Sequence, residues 1–300
     1  MVFCTLYCEI LSHFQNSQFS KPCIVCRAFF YIESIEQNLK YAEIRMKISQ
    51  MLLWSSLCIP AMASAQTISF QKQEMSTQKR TVLCDLIPDQ CRDKPTWTLY
   101  KATQQEKQYY LISNLKLYQL EQNKQNFKIL NQWDFSKYTP QKVSTHWATE
   151  DIDTPSDQRF LYPALFKISE KTSAIALVQS FHETYSGGGM NEEVADFFEL
   201  IPQQKPKLLF QNIPFSVYRM IRACFSEEDY KMSGEGHCHD EENLVLNIRY
   251  LKPYAWQMQY HYTSVLSPAS DQKAVNSRKN FILEKGKQET IQIPKSWHAY

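Results

Sequence analysis

Alternation with a period of two residues constrains this chain more than any other feature of its sequence. Leu244, Leu246, Ile248 and Tyr250 are interleaved with Val245, Asn247 and Arg249. Trp256, Met258, Tyr260 and Tyr262 are interleaved with Gln257, Gln259, His261 and Thr263. Side chains of a strand point to alternate faces, so each run has one face for a core and one for water. The Pro-containing connection at 251–255 makes the two runs an antiparallel hairpin. Useful lengths of 3.6-residue periodicity are almost lacking.

The same pattern places strands at 67–71, 96–101, 108–113, 116–121, 127–135, 165–168, 174–181, 195–201, 208–211, 217–223, 281–284 and 290–293. These stretches are rich in Tyr, Phe, Ile, Leu and Val, which suit a pleated surface buried on at least one side. The fold expected is mainly β, with about a dozen short antiparallel strands in a meander, a sandwich or a propeller-like array, and little helix. Short helices are admissible at 191–194 and 227–231. Residues 72–80 read as a flexible lead. An acidic, Pro-containing stretch at 148–158 marks an internal boundary.

The expected compartment follows from residues 46–65. Lys47, with Arg45 just upstream, is followed by an apolar stretch at 51–62 and then by Ala63-Ser64-Ala65. Basic start, short apolar middle and small residues at a cut form the pattern of a secretory signal. The stretch is shorter than a membrane-spanning helix requires. Cleavage between Ala65 and Gln66 leaves an exported domain of residues 66–300, periplasmic or secreted, without a stable membrane anchor. The alternative is one uncleaved N-terminal anchor. Residues 1–45 then read as an upstream extension outside the native product or as a cytoplasmic leader.

Cysteine usage agrees with export. Nine cysteines are present, and only Cys84, Cys91, Cys224 and Cys238 fall after residue 65. An even number in an exported chain implies a disulfide framework. Four cysteines allow three pairings. Cys84–Cys91 and Cys224–Cys238 are favoured, because each pair is close in sequence and flanks a polar segment.

Charge offers little guidance to a partner. The 33 basic and 31 acidic residues give a net charge of +2, which points to neither nucleic acid nor an anionic membrane. Three segments concentrate groups capable of chemistry. The first, at 224–240, holds His237, Cys238 and His239; the two histidines share a strand face, and a metal site there needs a third ligand from elsewhere. The second, around Tyr185, Gly187, Gly188, Gly189 and Glu192, carries half of the chain's six glycines. It reads as a loop with accessible backbone amides between two strands. It matches no phosphate-loop pattern, and His182-Glu183 lacks the second histidine of a zinc-protease helix. The third, Asp151, Asp153 and Asp157, fails the calcium-loop pattern, because Ser156 and Tyr162 occupy the positions that need Gly and Glu.

No nucleophile motif is present. The reading is therefore an exported binding or interaction module of inhibitor or immunity type, without catalysis, cofactor or metal. Its contacts would be Tyr185, Gly187, Gly188, Gly189, Glu192, His237 and His239, and its partner an envelope protein. The competing reading is an envelope-polymer hydrolase or metal-binding protein that uses His182, His237 and His239.

Overall fold

The computed structural model describes residues 67–91, 97–103, 105–141, 158–185, 187–234, 238–268, 273–287 and 291–297. The expected signal at 46–65, the upstream stretch and the acidic triad at 151–157 lie outside them, as does most of the boundary segment.

The described residues form an antiparallel meander of thirteen strands, closing the question of fold class in favour of a mainly β protein. In chain order these are β1 (Thr67–Lys72), β2 (Trp97–Ala102), β3 (Gln108–Ser113), β4 (Lys116–Asn123), β5 (Asn126–Asp134), β6 (Gln158–Leu161) and β7 (Ala164–Lys167). They continue as β8 (Ser173–Tyr185), β9 (Gly188–Glu199), β10 (Lys207–Arg222), β11 (His239–Lys252), β12 (Ala255–Val265) and β13 (Asn276–Glu284). Two helices join them, α1 (Thr77–Leu86) and α2 (Glu227–Met232).

Strands β2 to β5 pair in sequence order, as do β8 to β13. Strand β1 joins the two series: Thr67, Ile68 and Ser69 pair with β7, while Phe70, Gln71 and Lys72 pair with β2.

Layering follows from burial. In β8, Ala174, Ile175, Ala176, Leu177 and Val178 are all wholly buried. Such an unbroken apolar run marks a strand covered on both faces. Ile175 and Leu177 pack with Leu117, Trp133, Phe135 and Phe198. Ala174, Ala176 and Val178 face a second core with Phe197 and Trp256. A third core lies on the far side of β2–β5, where Leu83 of α1 meets Leu99, Leu111, Leu120 and Phe127.

The predicted β11–β12 hairpin is present, and its faces are as expected. Trp256, Met258, Tyr260 and Tyr262 are buried, whereas Val245 is exposed. Trp256 is the centre of the second core, with ring centroids 5.1 Å from Phe197 and 5.1 Å from Phe210. Its indole N–H donates to the Lys167 carbonyl at 2.7 Å, so its polar atom is also satisfied.

Several boundaries differ from the sequence reading. Residues 72–80 are not a flexible lead: β1 runs to Lys72 and α1 begins at Thr77. The hydroxyl of Ser76 accepts from the Lys79 amide and caps that helix. Residues 208–211 and 217–223 belong to one strand, β10, with register shifts between its two parts. Asn212 has φ 56° there, and Pro214 lacks an amide donor, so the alternation is broken while the pairing continues. Residues 191–194 are strand, not helix, because their backbone is paired on both sides within β9. The helix at 227–231 is present as α2.

Candidate functional site

Both expected disulfides are present, Cys84–Cys91 and Cys224–Cys238. They point to an oxidising, extracytoplasmic compartment. Among the described residues, no helix is long and apolar enough to cross a membrane.

The Cys224–Cys238 bridge closes a projecting knob at one end of the sheet, between β10 and β11. Its base is a ladder bond from the Ala223 amide to the Cys238 carbonyl, 2.8 Å. Its body is α2, which begins with a reciprocal cap. The Asp229 amide donates to the Ser226 hydroxyl, while the Asp229 carboxylate accepts from the Ser226 and Phe225 amides at 2.8 and 2.9 Å. These bonds to its charged form, led by the Phe225 amide, hold the Asp229 carboxyl below the usual aspartate range. Gly234, at φ 64°, takes the left-handed conformation that ends a helix.

Arg222 organises the knob from below. Its Nε donates to the Cys224 carbonyl at 2.7 Å and its terminal nitrogen to the Tyr230 hydroxyl at 3.1 Å. The guanidinium carbon also lies 5.4 Å from the centroid of Phe225. The result is a rigid frame for large apolar groups held in water. Phe225 is 75% exposed, Met232 54% and Tyr230 49%. Tyr218, also exposed, shares the face of β10 that carries Arg222.

The same arginine brings the two glycine- and histidine-bearing segments together. Its amide donates to the Gly187 carbonyl. A Cβ at Gly187 would lie 3.1 Å from the Arg222 Cβ, so glycine permits this close approach. The reading of 185–193 as an open loop is corrected, however. Tyr185 and Gly188 are paired, which leaves two positions between the strands. Gly188 and Gly189 also pair with Ile221 and Met220 of β10. Their amides belong to the sheet, because glycine tolerates a tight hairpin without lengthening it.

Glu192 is likewise no loop contact. It is buried in β9 opposite Val217, which lies two residues along β10 from Arg219. The Arg219 guanidinium bonds the Glu242 carboxylate at 2.6 Å, and both side chains are buried. This ion pair, on facing residues of β10 and β11, belongs to the interior.

The histidines are separated. His182 lies exposed on β8, opposite Asn191. His239 begins β11 opposite Arg222. Three strand spacings and four residues of rise put these two roughly 20 Å apart. His237 lies outside the described residues. Among the described residues, no group of three His, Cys, Asp or Glu side chains is arranged to hold a metal ion.

A buried carboxylate escaped the sequence reading. Asp196, wholly buried in β9, accepts from the Asn212 amide at 2.8 Å and from the Tyr138 hydroxyl at 2.9 Å. Burial raises its pKa despite both bonds. Burial and the neighbouring Asp196 push Tyr138 up to about 12. Gln211 donates to the same hydroxyl, which fixes the segment after β5 onto β9 and β10. Nothing in the stretch VADFFEL marks Asp196, rather than Glu199, as the buried acceptor of these two bonds.

Comparison with protein-family models, curated proteins and solved structures gives no match.

Proposed function

We propose that this chain is an exported binding module without catalysis, and that the knob closed by Cys224–Cys238 is its contact surface. One observation carries the reading: Phe225, Tyr230 and Met232 stand in solvent although a disulfide, a helix cap and Arg222 hold their backbone in place. Exposed aromatic, Met and Arg groups are the composition of interface hot spots. Their fixed frame lowers the entropy lost on docking. Glu227 and Glu228 lie exposed beside them, so the partner surface is an apolar pocket with a basic rim. An envelope protein bound by an inhibitor or immunity-type module fits that description. Export through the signal at 46–65, with cleavage after Ala65, completes the proposal and accords with the bridged cysteines.

The test is a photo-crosslinking amino acid placed at Phe225 in the producing cell. The expected result is one discrete adduct, lost when Tyr230→Ala and Met232→Ala are combined with it. N-terminal sequencing of the same material should begin at Gln66, and thiol titration should find no free cysteine. An adduct that survives the two alanines, or none at all, refutes the knob as the contact. A product that retains residues 46–65 refutes the cleavage.

A further inference from the structure

A second surface, far in sequence from the knob, lies along the outer edge of β5. Among the described residues this strand ends the series β2–β5 and pairs with β4 alone. Every second amide and carbonyl of such an edge points away from the sheet and can template a further strand. A cleft of about 810 Å³ lies beside it, and residues 129–135 line it without a gap. Alternate residues of a strand face opposite sides, so an unbroken run lining one cleft means that the cleft meets the strand edge-on.

The opposite wall is the β9–β10 connection at 203–206. Two bonds fix it there: the Gln203 amide donates to Asn131 Oδ1 at 3.2 Å, and the Trp133 indole N–H to the Ile201 carbonyl at 3.0 Å. At Leu130 the pairing with β4 skips a residue, and its side chain is 38% exposed to the cleft. The edge carries no charge from Ile129 to Trp133. Lys116, Lys137 and Lys205 surround it, against the single carboxylate of Asp134.

We propose that this cleft takes up an extended, acidic segment of a partner polypeptide, which adds as a further strand along β5. Main-chain bonds to the edge supply the attachment, and side-chain alternation supplies selectivity. Apolar side chains on one face of the added strand meet Leu130 and Trp133, and acidic ones on the other meet the lysines. The inference is independent of the knob: it concerns a different strand edge and a different mode of contact.

The experiment uses fluorescently labelled seven-residue peptides, alternating Val and Glu or Val and Lys, titrated with the disulfide-intact protein. Binding of the acidic peptide should exceed that of the basic one by about tenfold and weaken as salt is raised. Leu130→Pro should lower it about tenfold, because the edge loses the leucine side chain that lines the cleft and one main-chain amide. Lys137→Glu with Lys205→Glu should invert the preference, a result that a merely unfolded variant cannot give. Failure of both peptides to bind overturns the proposal, as does equal affinity in Leu130→Pro or an unchanged preference after charge reversal. Self-association abolished by Leu130→Pro, with no peptide bound, would assign the edge to a second copy and overturn it too. Phe225→Ala should leave peptide binding intact, so this proposal and the knob fail separately.

Discussion

Removing the Cys224–Cys238 bridge tests whether the knob is held by covalent closure or by its local hydrogen bonds. The bridge spans 14 residues of sequence and Cys84–Cys91 spans 7. Loop-closure entropy assigns about 3 kcal/mol to the longer loop and about 2 kcal/mol to the shorter. For a domain of this size, each kcal/mol lowers Tm by about 2–4 °C, so the longer bridge corresponds to about 6–12 °C. Alanine is the replacement of choice. Cys224 is wholly buried, and a serine hydroxyl there would add a desolvation cost unrelated to the crosslink. Thermal melts followed by circular dichroism should give a larger drop for Cys224→Ala/Cys238→Ala than for Cys84→Ala/Cys91→Ala. Reducing the unmutated protein should reproduce the sum. A drop below about 2 °C for the longer loop would refute the entropic argument, and would leave the Ser226–Asp229 cap and Arg222 as sufficient restraints.

Two further perturbations probe the interior. Glu242→Gln removes the carboxylate that bonds the buried Arg219 guanidinium and should cost about 3–5 kcal/mol in urea unfolding; a cost under about 1 kcal/mol would show that this bond contributes no more than a surface pair. For Asp196, the raised folded pKa means that the native state holds its proton more tightly than the unfolded chain. The stability tied to this group is therefore full below the unfolded aspartate pKa and is lost as pH rises through the folded one. Asp196→Asn should flatten the fall in Tm on the alkaline side of the aspartate range; an unchanged slope would remove Asp196 as its source.

Legibility in the sequence depended on whether local signals agreed with long-range ones. Strand β3 is Gln108–Ser113 in both readings, because turn residues bound its apolar run on either side. The β11–β12 hairpin was legible for the same reason. Helix α1 was hidden: it buries Leu83 alone within a polar surface, so its stripe is too narrow to register as a period. The disulfide pairings were legible from spacing. The framework of the knob was not, because Arg222 lies in a strand outside the cysteine loop and acts through geometry. Phe225 reads as a core residue by type, and only its exposure identifies it as a contact. The glycine run differs from its expectation for a physical reason: the freedom that permits a loop also permits Gly188 and Gly189 to pair closely with a strand on each side.

Strand β1 has a consequence for how the molecule comes apart. Its first three residues belong to one half of the sheet and its next three to the other, and their partners lie about 30 and about a hundred positions downstream. Each half is otherwise assembled mostly from strands adjacent in sequence. This short ribbon is the stitch between them, and it can be sewn only once both halves exist. Because the core around Leu117, Trp133, Ile175 and Phe198 also joins the halves, cutting the ribbon should lower Tm without dividing the melting transition in two.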